Sequence, residues 1–230
     1  MDRRPYVLLS CTVSLDGCLD DLSERRLILS TPGHFDRVDE LRAGCDAILV
    51  GAGTVRKDDP RLVVRSPDRR AARQARGLPP SPVKVTVTGA GGLPPAARFF
   101  TVGEARKLVY CASAAVPAVR DRLGTVAGVV DAGQHVDLTA VLADLYDRGV
   151  RRLLVEGGAI VLSSFLRAGV ADELEVAVAP FFVGEPGAPR LTGWGRLPSE
   201  DGSRAVLAGV DRLDDLVLLR YGLSPRFAAT

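Results

Sequence analysis

The sequence is poor in the residues that most often bind metal ions or form nucleophile and base pairs. Among 230 residues there are two histidines and four cysteines, with no C-x-x-C pair. We therefore expect no metal site, and we interpret Cys11, Cys18, Cys45 and Cys111 as small buried hydrophobes. The zinc deaminase signature, H-x-E with a later P-C-x-x-C, is missing. A G-x-S-x-G elbow is missing as well, which disfavours a hydrolase.

The chain also lacks an excess of one charge and a long apolar run. Thirty basic residues against 28 acidic ones leave a net charge of +2, which supplies no electrostatic footprint for a nucleic-acid backbone. The apolar run in MDRRPYVLLSCTVSLDG is too short for a signal peptide or a membrane span. We expect a cytoplasmic protein with neither nucleic acid nor membrane as a partner.

The composition is that of an ordinary globular protein, with 47% hydrophobic and 25% charged residues. A chain of this length can bury about 70 to 75% of its unfolded surface without a disulfide or a metal. No internal repeat or linker divides it. We predict a single domain over residues 1–230.

A glycine turn at the end of a short aliphatic run is the most informative stretch. Asp46 to Val50 is predicted to be a buried strand, and Gly51-Ala-Gly53-Thr54 follows it at once. Such an order delivers a glycine-lined backbone to a helix start, where free N–H groups favour a phosphate. The G-x-G pattern alone is weak, because Arg56 stands where a dinucleotide fingerprint has its third glycine.

A second glycine turn strengthens this interpretation. Arg151 to Val155 reads as a strand, Glu156-Gly157-Gly158 follows, and Ala159 to Arg167 reads as the helix behind it. Two glycines let a backbone approach a pyrophosphate without an intervening side chain. The two turns together could hold the two ends of one dinucleotide.

Strand-like runs alternate with helical patterns along the chain, which predicts an α/β fold with an antiparallel C-terminal portion. Ser30-Thr31-Pro32 marks the start of a helix that ends at Gly44. Leu62 to Arg65 reads as extended, and the arginines that follow, Arg69, Arg70, Arg73 and Arg76, are interpreted as a solvated loop. Further predicted strands are Tyr6–Val13, Val83–Thr88, Lys107–Cys111, Val126–Val130, Glu173–Ala179, Phe181–Val183 and Val217–Tyr221.

Four motifs resemble a known family in content and order. They are SLDG at Ser14–Gly17, LRAGCDAILVGAGT from Leu41, the charged RKDDPR stretch after it, and VEGG at Val155–Gly158. Over residues 5–187 the chain resembles the reductase module of riboflavin biosynthesis, the C-terminal half of a bifunctional pyrimidine deaminase/reductase. The resemblance implies a dihydrofolate-reductase-like fold, with a central, mostly parallel sheet flanked by helices. It also implies a homodimer and, since the deaminase signature is missing, a free-standing reductase.

The resemblance implies an NADPH-dependent oxidoreductase. Hydride would pass to C1′ of the ribosylamino sugar of 5-amino-6-(5-phosphoribosylamino)uracil or its 2,5-diamino counterpart, opening the ribose to a ribityl chain. Such a reaction needs few catalytic side chains, because the cofactor carries the reactivity. The scarcity of nucleophile and base pairs in this sequence agrees with that.

Matching family positions imply the site residues. Asp58 and Glu156 would be catalytic, and the substrate would be bound by Arg42, Leu62, Arg65 and Glu156. The cofactor would be bound by Val13, Gly51, Gly53, Thr54, Asp58, Gly89, Gly157, Gly158, Ala159, Ile160, Val161, Leu162, Ser163 and Ser164.

Several residues keep a structural alternative. Arg42 lies in the last turn of a predicted helix, where a cation favours the dipole whatever its function. Asp58 could pair with Arg56 or Arg61, and Asp16 is interpreted as a turn former.

The sequence departs from the family pattern at two positions, and the substrate stays open. Ser10 replaces a lysine and Thr88 an aspartate that are common in fused members. One alternative is a dihydrofolate-reductase-like enzyme acting on a pterin or a secondary-metabolite precursor, which the two arginines Arg42 and Arg65 argue against. Another is a nucleotide-binding regulatory protein without turnover.

Overall fold

A computed structural model describes residues 3–25, 27–192 and 204–228. The strands within these residues are β1 Tyr6–Ser14, β2 Ala47–Gly51, β3 Val83–Thr88, β4 Lys107–Cys111, β5 Gly128–Asp131, β6 Arg152–Val155, β7 Glu173–Ala179, β8 Val206–Leu213 and β9 Leu216–Gly222. The helices are α1 Pro32–Ala43, α2 Ala52–Asp58, α3 Pro67–Ala75, α4 Arg98–Thr101, α5 Val116–Leu123, α6 Leu138–Asp147 and α7 Ala159–Arg167, with a 3₁₀ turn at Ser113–Ala115.

The backbone contacts divide the chain into two compact units. The first unit consists of Met1–Pro5 and Asp39–Leu154, and the second consists of Tyr6–Val38 and Val155–Thr230. The prediction of a single domain over residues 1–230 stays a prediction.

The strands of the first unit lie in the order β5-β4-β3-β2-β6. β2 pairs in parallel with β3, β3 with β4, and β4 with β5. All five residues of β2 are buried, as expected for a parallel strand that is covered on both faces and reads as a continuous aliphatic run. This is why the short run before Gly51 identified the strand.

The second unit has its strands in the order β1-β7-β9-β8. β1 pairs in parallel with β7, whereas β7 with β9 and β8 with β9 are antiparallel. β8 and β9 form a hairpin whose turn contains Asp214 at φ 57°. The predicted α/β fold, mostly parallel with an antiparallel C-terminal portion, is confirmed.

Helix α1 begins where the sequence predicts. Thr31 Oγ1 accepts a hydrogen bond of 3.3 Å from the backbone N of His34, which is the expected side-chain cap. Pro32 follows as the first helical residue, and Gly44 lies just beyond the last one. Within the described residues, no helix is long and apolar enough to cross a membrane.

The interpretation of the arginine run as a solvated loop was wrong. Ser66 Oγ accepts from the backbone N of Arg69, and α3 follows as a helix. Arg73 is 3% exposed and donates to the carbonyls of Ala43, Cys45 and Pro79, each at 2.8 Å. A guanidinium can be buried there because backbone carbonyls accept its N–H groups. A pattern of charge alone does not reveal those carbonyls.

One predicted strand was wrong, because Phe181–Val183 lies outside the strands of the structure. Leu62–Arg65, predicted to be extended, belongs to none of the described strands. Ser113 begins the 3₁₀ turn, and its hydroxyl donates to Asp131 at 2.7 Å. Strand β8 was not predicted, and it is an edge strand with mostly exposed or half-buried residues, so it lacks a clear hydrophobic pattern.

Candidate active site

The carboxyl ends of β2 and β3 bring two predicted glycine positions to one edge of the first unit. Gly51, the last residue of β2, pairs with Val87, and Gly89 comes directly after β3. Neighbouring strands lie about 4.8 Å apart, and ligands of open α/β sheets bind outside the carboxyl ends of the strands. Gly89 is exposed, and no described atom lies within 4 Å of where its Cβ would be.

The turn from β2 to α2 has the predicted glycine-lined helix start. Gly51 is the N-cap residue with φ −73° and ψ 157°, and no side chain of the described residues caps the helix. Gly53 is exposed, with no described atom within 4 Å of a Cβ position, and Thr54 is half-buried. The turn therefore leaves room for a ligand close to backbone N–H groups.

The two carboxylates at the end of α2 have different surroundings. Asp59 caps the helix at φ 42°, and its carboxylate accepts from the backbone N of Arg98 at 2.5 Å and from its Nε at 3.0 Å. Asp58 is the last helical residue and is half-buried. Its predicted contact with cofactor or ribose stays a prediction.

Leu62 has an unusual backbone for its residue type. Its φ is 46°, in the left-handed region, while its side chain is 1% exposed. Such a conformation costs about 1–3 kcal/mol in a non-glycine residue and tends to occur at functional sites. The buried side chain anchors this backbone, and the predicted substrate contact of Leu62 stays a prediction.

The structure brings both arginines that were predicted to bind the substrate to the segment Leu62–Arg65. Arg42, in the last turn of α1, donates from Nη1 to the carbonyl of Val63 at 3.3 Å. Arg65 follows two residues later, and its side chain is 52% exposed. Arg42 also has a structural role here, so the two interpretations of this residue are compatible.

Asp39 is a residue that the sequence analysis missed. Its side chain is 3% exposed and accepts hydrogen bonds from the backbone N of Arg65 at 2.5 Å and of Ser66 at 3.1 Å. Its Oδ2 also accepts from Arg69 Nη1 at 3.2 Å. Asp39 therefore fixes the backbone that carries Arg65. An aspartate in the middle of a helix would have been the signal, because this residue type usually lies at caps and turns.

The turn between β6 and α7 requires its two glycines. Gly157 has φ 133° and Gly158 has φ 74°, conformations that residues with a Cβ rarely adopt. Gly157 is buried, yet no described atom lies within 4 Å of its Cβ position. Glu156 precedes them and is half-buried. The turn therefore has an exceptional backbone with space beside Gly157, and its predicted binding of a pyrophosphate stays a prediction.

The residues at the start of helix α7 differ in solvent exposure. Ile160 is 80% exposed, whereas Val161, Leu162 and Ser163 are buried. The hydroxyls of Ser163 and Ser164 donate to the carbonyl of Ile160, at 3.1 and 2.7 Å. The first turn, from Gly158 and Ala159 onward, is thus the part of the predicted set that offers free backbone N–H groups.

Val13 and the SLDG loop belong to the second unit. Val13 is 7% exposed and pairs with Val178. The Asp16 carboxylate accepts from Ser14 Oγ at 2.6 Å and from the backbone N of Val183 and Gly184, at 3.1 and 2.9 Å. These hydrogen bonds, with that of Ser14 the largest, hold the pKa of Asp16 well below its usual range. Asp16 is structural, as expected.

Both departures from the family pattern are buried. Ser10 is 4% exposed in β1. Thr88 is 7% exposed, and its hydroxyl accepts from the backbone N of Gly91 at 3.0 Å and donates to the carbonyl of Gly91 at 3.1 Å. Thr88 therefore shapes the loop that contains Gly89.

Comparison of the sequence with known proteins shows the family to which the chain belongs. Residues 5–218 match the RibD C-terminal domain, and the chain belongs to this family. The family consists of enzymes, and the predicted membership of the riboflavin-pathway reductases is confirmed.

Two reductases are similar in sequence to this chain over most of its length. The 2,5-diamino-6-ribosylamino-4(3H)-pyrimidinone 5′-phosphate reductase of Archaeoglobus fulgidus is 40% identical over 82% of this chain and 86% of its own. The enzyme of that name from Methanothermobacter thermautotrophicus is 37% identical over 79% and 80%.

A bifunctional relative has a solved structure. The diaminohydroxyphosphoribosylaminopyrimidine deaminase/5-amino-6-(5-phosphoribosylamino)uracil reductase of Thermotoga maritima superposes with a TM-score of 0.76 at 26% identity. The match covers 96% of this chain and 57% of that one, so this chain spans little more than half of the bifunctional protein.

Proposed function

We propose that this protein is an NADPH-dependent reductase of 2,5-diamino-6-ribosylamino-4(3H)-pyrimidinone 5′-phosphate in riboflavin biosynthesis. The observation that carries the proposal is the 40% identity, over most of both chains, with the Archaeoglobus fulgidus reductase of that substrate. The two glycine turns and the arginines near Leu62 support it, because they supply what a dinucleotide and a sugar phosphate need.

The residues of the chain fit a nicotinamide dinucleotide. The space beside the buried Gly157 and the uncapped start of α7 can accept a pyrophosphate on backbone N–H groups. Within the first unit, the open backbone at Gly53 and Gly89 also leaves space for a nucleotide phosphate. When bound, NADPH supplies the hydride for the reaction.

The reaction balances with one hydride and one proton. The ring-opened imine form of the substrate accepts hydride at C1′, the C=N double bond becomes a single bond, and the nitrogen gains a proton. The former ring oxygen is then a free hydroxyl of the ribityl chain. We propose that Glu156 contacts the substrate and helps to deliver this proton, while Asp58 holds the ribose or cofactor hydroxyls.

The substrate phosphate is assigned to Arg42, Arg65 and the backbone of Leu62. A guanidinium forms bidentate, charge-assisted hydrogen bonds to phosphate, and Arg65 has an exposed side chain on a backbone that Asp39 fixes. Two arginines placed for a phosphate argue for the pyrimidine nucleotide as the substrate rather than an unphosphorylated pterin.

The second candidate substrate is 5-amino-6-(5-phosphoribosylamino)uracil. The bifunctional Thermotoga maritima relative, which is named as a reductase of this compound, favours it. The two compounds share the phosphate and the ribosylamino group and differ at one substituent of the pyrimidine ring. The arginine and glycine contacts proposed above would therefore serve both.

The deciding experiment follows NADPH oxidation by absorbance with each pyrimidine phosphate and with dihydrofolate as a control. Turnover of the diamino compound is expected. Faster turnover of the uracil would favour the second candidate, and turnover of dihydrofolate alone would favour the pterin alternative. Absence of NADPH binding would contradict the reductase proposal, and tight binding without turnover would move the substrate outside this pathway. Parallel runs with NADH test the choice of cofactor.

Two further parts of the proposal concern location and assembly. We propose that the protein acts in the cytoplasm, as predicted from its sequence, and that it is a homodimer, as the resemblance implies. Light scattering coupled to size-exclusion chromatography measures the mass directly, and a mass near that of one 24.4 kDa chain would contradict the dimer.

A further inference from the structure

His34 is a buried histidine, and among the described residues only one of its two ring nitrogens has hydrogen-bond partners. It is the third residue of α1, in the second unit, and is 2% exposed. Its Nδ1 lies 2.9 Å from Ser30 Oγ and 3.4 Å from Thr12 Oγ1, and these two hydroxyls are 3.2 Å apart. The hydroxyl pair therefore holds one ring nitrogen in place.

The other ring nitrogen, Nε2, is buried and has no hydrogen-bond partner among the described residues. Most buried polar side-chain atoms have one, so an exception needs an explanation. A buried water, a bound ligand or a neighbouring side chain that turns toward Nε2 would satisfy it, and a side chain with a charged acceptor makes the strongest hydrogen bond of the three.

Two charged side chains act on this imidazole. Burial is the largest influence and lowers the pKa of His34, the positive charge of Arg37 lowers it further, and the negative charge of Glu156 raises it. Arg37 carries only donors and is bound to Glu175, at 2.7 Å from Nη2 and 3.2 Å from Nε. Glu156 is the acceptor of the two, it is half-buried, and its side chain has three torsions to turn about.

The hydrogen bonds at Nδ1 determine whether Nε2 is a hydrogen-bond donor or an acceptor. A serine hydroxyl has a proton to donate, and when Ser30 donates to Nδ1 the neutral imidazole carries its own proton on Nε2. An N–H group at Nε2 suits the carboxylate of Glu156. In the Nδ1–H tautomer, the lone pair of Nε2 would repel the carboxylate of Glu156.

We propose that His34 is a positioning residue, whose Nε2–H donates to the Glu156 carboxylate and sets its orientation toward the substrate. This inference rests on the proposed function, in which Glu156 contacts the substrate. His34 itself does not touch the reacting atoms, since its ring is buried.

The chain suits a spectroscopic test because it has only two histidines, and His135 is exposed and serves as an internal control. Long-range proton–nitrogen correlation spectra of the substrate-free protein should show His34 as the neutral Nε2–H tautomer. In Glu156→Gln the pKa of His34 should fall further, because the charge that raises it is removed, while His135 should not change. The Nδ1–H tautomer, or a His34 that does not respond, would overturn the proposal.

A pair of variants gives the kinetic test. In His34→Gln the amide nitrogen can replace Nε2–H, whereas in His34→Asn the shorter amide can replace only Nδ1. We expect kcat to fall about 10-fold in His34→Asn with KM for NADPH unchanged, and to be largely retained in His34→Gln. Equal rates in the two variants, at equal Tm, would contradict a role for Nε2.

The two arms separate this inference from the proposed function. The spectra need no substrate, so they remain decisive if neither pyrimidine is turned over or if both His34 variants fail to fold. If the wild type is active and the spectra show no link between His34 and Glu156, the reductase proposal survives and the positioning role does not.

Discussion

Asp39 accepts a hydrogen bond of 2.5 Å from the backbone N of Arg65, and the acceptor carboxylate is 3% exposed. This contact joins the middle of α1 to the segment that carries a proposed phosphate ligand. The position of Arg65 therefore depends on a residue 26 positions earlier in the chain.

Asp39→Asn should weaken substrate binding without changing the chemical step. An asparagine has one acceptor oxygen where the backbone of Arg65 and Ser66 presents two donors, so one N–H loses its partner. We expect a higher KM for the pyrimidine phosphate with similar kcat, and a loss of about 1–3 kcal/mol in the free energy of unfolding. Asp36→Asn, at an exposed position of the same helix, is the control in steady-state kinetics and urea unfolding. Equal KM values in the two variants would separate Asp39 from the site.

Arg65→Ala should raise KM for the substrate about 10-fold, since a charge-assisted hydrogen bond to phosphate is worth roughly 1.5–3 kcal/mol and this side chain is half-exposed. Arg76→Ala, at the exposed end of α3, removes the same charge elsewhere and serves as the matched control. Titration with inorganic phosphate as a competitive inhibitor supplies a second readout. An unchanged KM would show that Arg65 does not bind the phosphate.

Glu156→Gln should lower kcat at least about 10-fold, which corresponds to about 1.4 kcal/mol of transition-state stabilisation. NADPH affinity should stay nearly intact, because the proposed dinucleotide contacts of this turn are backbone groups. Stopped-flow measurement of a single turnover separates this effect from product release. A wild-type rate would remove Glu156 from the mechanism.

Gly157→Ala and Gly53→Ala should differ in stability although both glycines have open space around them. Gly157 has φ 133°, so a Cβ adds about 1–3 kcal/mol of backbone strain. Gly53 lies in α2 without a positive φ, so alanine should stabilise the helix by about 0.5–1 kcal/mol. Both should weaken NADPH binding in a fluorescence titration if the cofactor approaches these backbones. Full NADPH affinity in both variants would contradict the proposed contacts of the cofactor with these backbones.

The free energy of unfolding should rise between about pH 8 and pH 10.5, because Lys84 has a lowered pKa in the folded protein. The side chain is fully buried in β3, and its Nζ donates to the carbonyls of Phe99 and Val102 at 3.1 and 2.6 Å. Burial, and then the charges of Lys107 and Arg42, lower its pKa from 10.5 to about 8. The unfolded chain therefore binds more protons within this window, and stability rises with pH by up to about 3 kcal/mol.

Urea unfolding across this pH range, in the presence of a reductant, measures the effect. Lys84→Met should abolish the rise, whereas Lys57→Met, at an exposed position of α2, should retain it. A parallel pH dependence in Lys84→Met and the wild type would show that Lys84 keeps an ordinary pKa in the folded protein.

Local patterns were sufficient to predict much of the fold. The bounds of β3, β4, β7 and α7 agree with the residues that the sequence indicates. Their signals are short aliphatic runs, glycine turns and helical spacing, all of which lie within about ten residues. Edge strand β8 and helix α3 lack such a signal, because β8 is mostly exposed or half-buried and α3 is rich in arginine.

The sequence by itself determined the family, the α/β class and the two glycine turns. These features depend on contiguous residues, since a glycine with positive φ or an apolar run acts through its own backbone and neighbours. Only the tertiary structure decided which carbonyls bury Arg73, which carboxylate fixes Arg65, and which hydroxyls hold His34. Each of these depends on partners that lie apart in the chain and come together only after the strands and helices have packed.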